Sequence, residues 1–206
     1  MAVAEVVFEE GYHAASVAKI VGAAGVSRNC FYDHFSNKEE CFLAAYDATL
    51  ARLVSYMHAA CDDAQDWPAR LEAELGAFLR FSAAEPALAW LCIVEVLAAG
   101  PRSLARRDAT ISAFVARLQR RSENAVPETM TRVLVGGVYE LVYTRMLRGE
   151  SAALPDLLPE IVYVWLAPFL GPAFAAARSA AVSGAPAHLR VAPEPVSSTS
   201  EDAGVF

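Results

Sequence analysis

Apolar residues recur every three or four positions along almost the whole chain. No run of alternating β-branched residues stands out, and capping residues, prolines and glycines fall at helix-length intervals; together these predict an all-α fold. The chain has 206 residues, 55% of them hydrophobic and 20% charged. That is enough apolar material for a sizeable core, arranged as one compact domain or as a small module fused to a larger one, and it excludes wholesale disorder. The net charge of −7 excludes nucleic-acid binding by a uniformly basic surface. Any such binding has to be local and geometrically organised.

The elements can be justified in chain order. Ser16 is an N-cap candidate, and Val17, Ile20, Val21 and Ala24 then share one face of a short helix that Gly25 stops. Val26 is buried at the turn. Ser27 caps a second short helix with Phe31 and Phe35 facing inward. Asn37 caps a long helix whose stripe is Phe42, Tyr46, Thr49, Leu50, Leu53 and Met57, with Glu39 and Glu40 at its positive end. Asp66-Trp67-Pro68 starts the next, which runs to Ala84. Glu85-Pro86 starts a helix apolar nearly all round, and hence buried, that ends near Gly100-Pro101. An arginine-rich helix spans about 102–122. Pro127 opens another that closes at Gly149, and Pro155 opens the last core helix, closing near Gly171 with an extension toward Ala181. From Ser183 the Pro, Ser and Ala content predicts a disordered tail.

Other signals are sparse. Cys30, Cys41, Cys61 and Cys92 form no CxxC pair and read as reduced thiols. The opening MAVAEVVFEEGY carries acids and no basic n-region, so no secretory signal is expected. The longest charge-free run, 161–177, holds two prolines and a glycine and is too short to span a bilayer comfortably. No metal constellation, glycine-rich phosphate loop or nucleophile motif is present. The expectation is a cytoplasmic protein that is not an enzyme, needs no cofactor or metal and does not enter a membrane.

Two short helices joined by a tight glycine turn form the helix-turn-helix pattern. Ser27, Arg28, Asn29, Cys30, Asp33 and His34 point outward from the second helix, with Tyr32 at the edge. Arg28 can read guanine and Asn29 adenine in a major groove. Ser27, Tyr32, His34 and Lys38 suit phosphate oxygens, as do backbone N–H groups at helix N-termini.

The ordered set Gly11-Tyr12, Ser16, Ala24-Gly25-Val26-Ser27, Phe31-Tyr32, His34-Phe35 and Lys38-Glu39 resembles the DNA-binding module of the tetracycline-repressor-type (TetR) transcriptional regulators over roughly the first 50 residues. The resemblance implies a three-helix DNA-binding module over 1–47, a helical ligand-binding and dimerisation domain over 48–182, and a tail over 183–206. It assigns phosphate contacts to Tyr32, His34 and Lys38 and base-facing positions to Ala18, Arg28, Asn29 and Cys30; Ser16, Lys19 and Ser27 complete the expected DNA-binding set. It further implies a homodimer through helices at about 127–148 and 155–170, a palindromic double-stranded DNA operator, a small-molecule effector and, most often, repression.

Three features depart from the family pattern. Within residues 1–47, Lys19, Arg28 and Lys38 face seven acids, leaving −4. The basic stretch that usually precedes the first helix is absent, and the chain opens partway into that helix. Val21 stands where close helix packing usually has Ala, which predicts a slightly opened angle between the two short helices. The acidic module motivates an alternative: a helical small-molecule-binding or interaction protein whose DNA module has decayed.

In the larger half the candidate pocket residues are Tyr56, Phe78, Phe81, Trp90, Glu95, Tyr139, Glu140 and Tyr143, polar or aromatic side chains on apolar helices. Glu95, flanked by Ile93, Val94, Val96 and Leu97, needs a partner such as Arg80 or Arg117, a cationic ligand group, or a route to an edge. Gly136-Gly137 in a helix interior costs about 1 kcal/mol per Gly relative to Ala, which suggests a close helix approach or a bend.

Overall fold

The computed structural model describes residues 1–64, 66–121 and 126–184; it holds ten α-helices and two 3₁₀ segments, with no strand among the described residues. The all-α expectation holds. The local signals at the N-terminal end act as their chemistry dictates. Helix α1 (Ala2–Glu10) buries Val3, Ala4, Val6 and Val7. Ser16 Oγ accepts the Lys19 N–H and opens α2 (Val17–Ala24). Gly25 closes it at φ 68° and ψ 26°, the left-handed region that a Cβ disfavours, and Val26 N–H reaches back to the Val21 carbonyl at 3.1 Å. Ser27 Oγ accepts the Cys30 N–H at 3.1 Å and opens α3 (Arg28–His34).

Asn37 Oδ1 accepts the Glu40 N–H at 3.0 Å to start α4 (Lys38–Ala59). The Glu40 carboxylate accepts the Ser36 N–H at 2.9 Å, a reciprocal pair that fixes the corner between α3 and α4. That hydrogen bond holds the Glu40 carboxyl below its usual range. Because α4 continues well past residue 47, one rigid rod joins the N-terminal module to the larger half.

Asp66 caps α5 (Trp67–Ala84), and the chain then bends by 109° into the 86–97 segment. Here the structure departs from the sequence reading. Instead of one helix to Gly100, α6 (Pro86–Ile93) stops and a 3₁₀ turn, Glu95–Leu97, follows. Ile93, Val94 and Val96 are weak helix formers, and Glu95 is drawn to partners outside the helix, so tertiary bonding overrides helical continuity.

Next come α7 (Pro101–Arg121) and α8 (Glu128–Leu147). The last core helix does not open at Pro155, which sits inside a 3₁₀ segment, Ser151–Leu157. A helix begun there would set the Pro159 ring against the carbonyl four residues back. Starting α9 (Leu158–Leu170) later leaves Pro159 in the first turn, where no N–H is needed. The expected extension is a separate helix, α10 (Pro172–Ser183), which follows a corner at Gly171 and packs back along α9. Arg178 ties it to Glu72 of α5 through two 2.6 Å hydrogen bonds. The expected tail lies, beyond residue 184, outside the described residues.

Two apolar clusters hold the molecule together. One joins α1–α4 with α6 around Phe31, Phe42, Tyr46 and Leu91; the other joins α5, α8 and α9 around Leu79, Val142, Val162 and Leu166. Phe78 and Cys92 pack against both clusters. Full burial of a side chain such as Leu79 contributes about 1.5–3 kcal/mol. The segment Ser151–Leu170 is long and apolar enough, by length and composition, to cross a membrane, yet α9 turns Ile161, Val162, Trp165 and Leu166 into the second cluster.

Candidate DNA-binding face and helical cavity

The face around α3 is built from two capped turns. Phe31 is fully buried and anchors the helix, with Phe35 packed beside it at 5.5 Å between ring centres. Burial of that side leaves Arg28, Asn29, Tyr32, Asp33 and His34 exposed on the other, with Cys30 half-buried. Tyr32 is 56% exposed, so its hydroxyl is held out from the body. Ala18 and Lys19 of α2 are exposed beside this face. The hydroxyls of Ser16 and Ser27 accept backbone N–H groups as caps, which leaves each hydroxyl proton available to an outside oxygen.

The two lysines sit differently from a simple phosphate-contact picture. Lys19 pairs with Glu10 at the end of α1. Lys38 turns inward: its ammonium donates to the carbonyls of Tyr12 at 2.6 Å and Ala15 at 2.8 Å and lies 4.2 Å from the centre of the Tyr12 ring. Burial pushes the Lys38 pKa down. Lys38 thus ties the start of α4 to the turn after α1, leaving one donor for an outside group.

Glu95 is buried at 8% exposure, and its partners are neither Arg80 nor Arg117. Its carboxylate accepts the Tyr12 N–H at 2.6 Å and the Trp90 indole N–H at 3.0 Å. Trp90 in turn packs edge-on against Phe8 of α1, with ring centres 5.6 Å apart. These contacts join the turn after α1 to the end of α6.

A cavity of about 150 Å³ lies among α4–α9. Of the eight sequence candidates, Phe78, Phe81 and Tyr139 line it. Tyr56 packs on Phe81 and Tyr143 stacks on Tyr139, each one layer behind the wall. Trp90 and Glu95 serve the contacts to α1, and Glu140 is exposed, accepting from Thr144. Sequence reasoning missed Arg107 and Arg117 of α7, Glu74 of α5, Tyr46 and Thr49 of α4, and Trp165 of α9, all in the wall. A signal was present: Arg107, Thr110, Ile111, Phe114, Arg117 and Leu118 recur at three and four and form one face of α7. Arg117 is neutralised by buried Glu74 at 2.7 Å. Arg107 lies 4.4 Å from the centre of the Tyr139 ring, and the Tyr139 hydroxyl donates to the Ile93 carbonyl. Burial raises the pKa of Tyr46 to about 12 and also raises that of Tyr139.

Comparison with known proteins identifies the N-terminal unit. Residues 1–45 match the model of "Bacterial regulatory proteins, tetR family". This N-terminal unit resembles that of the TetR-family regulators. The helix-turn-helix of α2 and α3 lies within the matched residues. Over 81 residues it is 40% identical to the HTH-type transcriptional activator FasR of Mycolicibacterium smegmatis, a stretch covering 39% of this chain and 37% of that protein. Over 61 residues it is 36% identical to the Transposon Tn10 TetC protein of Escherichia coli, covering 30% of this chain and 31% of that one. The chain thus spans about a third of the length of the curated relatives it matches.

The whole architecture has solved counterparts. The fatty acid degradation regulator FadR of Bacillus halodurans superposes with a TM-score of 0.71 at 20% identity, covering 80% of this chain and 90% of that one. FadR of Bacillus subtilis, solved in complex with stearoyl-CoA, gives 0.71 at 19% identity, covering 82% and 95%. At these identities the likeness shows the fold.

Proposed function

We propose that the protein is a ligand-responsive repressor that binds a palindromic operator as a homodimer, acts by binding rather than catalysis, and works in the cytoplasm. The observation that carries this reading is α3 itself, a Ser27-capped helix anchored by Phe31 with Arg28, Asn29 and Tyr32 held outward. Arg28 and Asn29 are the base-reading pair, at the N-terminal end that enters a major groove. Tyr32, His34 and the N–H groups of α2 and α4 are suited to phosphates.

The dimer face is argued from exposure. Met130, Val133, Leu141 and Leu147 of α8 and Tyr163 and Val164 of α9 are large apolar side chains left exposed, Val133 by 63%. A Cβ on Gly136 or Gly137 would meet nothing within 4 Å inside this chain, so internal packing does not account for the pair. Close approach of a second copy of α8 does.

Helix α6 supports a response to ligand. It gives Ala89, Cys92 and Ile93 to the cavity wall, while Trp90 and the following Glu95 grip the turn after α1. An occupant that displaces α6 therefore moves the DNA module, provided it binds the two arrangements with different affinity.

A second reading, a helical binding or interaction protein whose module no longer holds DNA, is favoured by the module's charge of −4 and by the engagement of both lysines. Selection of duplexes from a random pool, followed by a salt titration, separates the two. A regulator enriches a two-fold symmetric site and loses affinity steeply with salt. Failure to enrich any site favours the second reading.

A further inference from the structure

The cavity wall has a chemical polarity that points to the class of molecule it takes. Two guanidiniums, Arg107 and Arg117, face it with one carboxylate, Glu74. Glu74 is committed to Arg117, so the Arg117 end is neutral. Arg107, ten positions earlier and about 15 Å away along the helix, has Asp108 as its carboxylate partner at 3.0 Å, and Asp108 is 71% exposed. An ion pair with so exposed a partner is largely screened by water.

The positive end is also rich in hydroxyls. Tyr46 donates to Thr110 at 3.4 Å, and Tyr139 lies under Arg107. Nε of Arg107 is buried and has no acceptor, the same holds for Nε of Arg117 at the other end, and the indole N–H of Trp165, a side chain only 3% exposed, has none either. Buried donors without acceptors are costly unless an outside group satisfies them. Between the ends the wall is hydrocarbon, with Ile111, Phe114 and Leu53 prominent. A volume of about 150 Å³ is about what an apolar cavity needs to accept benzene.

We propose that the effector is a compact apolar carboxylate, with its hydrocarbon body against Ile111 and Phe114 and its acid group at Arg107. The inference rests on the ligand-responsive reading and sharpens it. An amine is disfavoured by the Arg107 guanidinium, whose partner Asp108 is largely screened by water, and an alcohol gains only a neutral hydrogen bond where a carboxylate gains a charge-assisted one. A chain of eighteen carbons exceeds a volume of about 150 Å³, so a compact ligand fits this site better than a stearoyl chain does.

The test is direct binding to the full-length protein by calorimetry, with hexanoate and phenylacetate set against 1-hexanol, 2-phenylethanol and hexylamine, and with stearoyl-CoA as a separate arm. The acids should bind about tenfold or more tightly than the matched alcohols, and the amine more weakly than either. Arg107→Met should remove that preference while leaving alcohol affinity nearly unchanged, and Arg107→Lys should restore part of it. Helical circular dichroism and a cooperative melt verify that each variant folds. Equal binding of acids and alcohols, no binding of any small compound, or an acid preference that survives in Arg107→Met would each overturn the proposal. Release of DNA by stearoyl-CoA alone would overturn the carboxylate and leave the ligand-responsive reading standing; absence of DNA binding would strike that reading itself.

Discussion

The DNA-binding module and the cavity obey the same physics but are written at different ranges along the chain. In the module the decisive contacts are local: Ser16 to Lys19, Ser27 to Cys30, Asn37 to Glu40, and Val26 back to Val21. In the larger half they are long-range: Glu95 with Tyr12, Arg117 with Glu74, and Tyr139 with Ile93. A reader of one sequence sees the first kind and can only guess at the second. The contrast also shows where each region is vulnerable. The module depends on caps and one buried ring, the larger half on pairings between helices.

Deleting the anchor of each region should produce the largest effects. Phe31→Ala removes a fully buried ring and should cost about 3–5 kcal/mol. Leu166→Ala, equally buried in the second cluster, should cost about 2–5 kcal/mol. Thermal melts of the full chain measure both. If the two regions unfold as one unit, both substitutions lower a single transition; two separate transitions would show that α4 does not couple them.

The grip between the regions comes next. Glu95→Ala leaves the part-buried indole N–H of Trp90 and the Tyr12 N–H without their acceptor and should cost up to about 1–3 kcal/mol for each donor left unsatisfied. Glu95→Gln keeps an acceptor and should recover part of the loss. If α6 relays ligand binding, Glu95→Ala should also uncouple effector binding from DNA release, as titration of DNA affinity against effector would show. Unchanged coupling in a folded Glu95→Ala protein would remove α6 from that role.

Gly136→Ala offers a test by sign. With open space around it within one chain, the added methyl should raise helix stability by about 1 kcal/mol. If a second copy of α8 lies against it, dimer affinity should fall instead. Sedimentation of wild type and variant decides, and a dimer unaffected by the methyl would place the seam elsewhere. The smallest effect belongs to the caps: Ser27→Ala should cost about 1 kcal/mol, against near neutrality for Ser183→Ala at the far end of α10. Denaturant melts resolve a difference of that size.

How much was legible follows from the same contrast. The sequence gives away α2, the turn, α3 and the start of α4 because each is fixed by a cap or glycine within three residues. It misplaces the end of α6 because Glu95's partners lie 83 positions away at Tyr12 and five away at Trp90. It runs α9 into α10 because Gly171 reads as a helix end with an optional extension, whereas the chain turns there and folds back. Arg107 and Arg117 are not legible as wall residues because an arginine-rich helix reads first as a solvated face. Only the three-and-four spacing of Ile111 and Phe114 between them, continued at Leu118, marks that face as a wall. Position alone puts Lys38 on phosphate, and nothing local reveals the carbonyls of Tyr12 and Ala15 that hold it.

The central claim, that the outward face of α3 reads duplex DNA, is tested most directly by comparing wild type with Arg28→Ala and Asn29→Ala in one selection from a random duplex pool. Neither side chain supports the fold, so both variants should melt like wild type. The account predicts a two-fold symmetric site enriched by wild type, with that enrichment relaxed at one base position per half-site in each variant. Identical enrichment by all three proteins, or none by wild type, would contradict it.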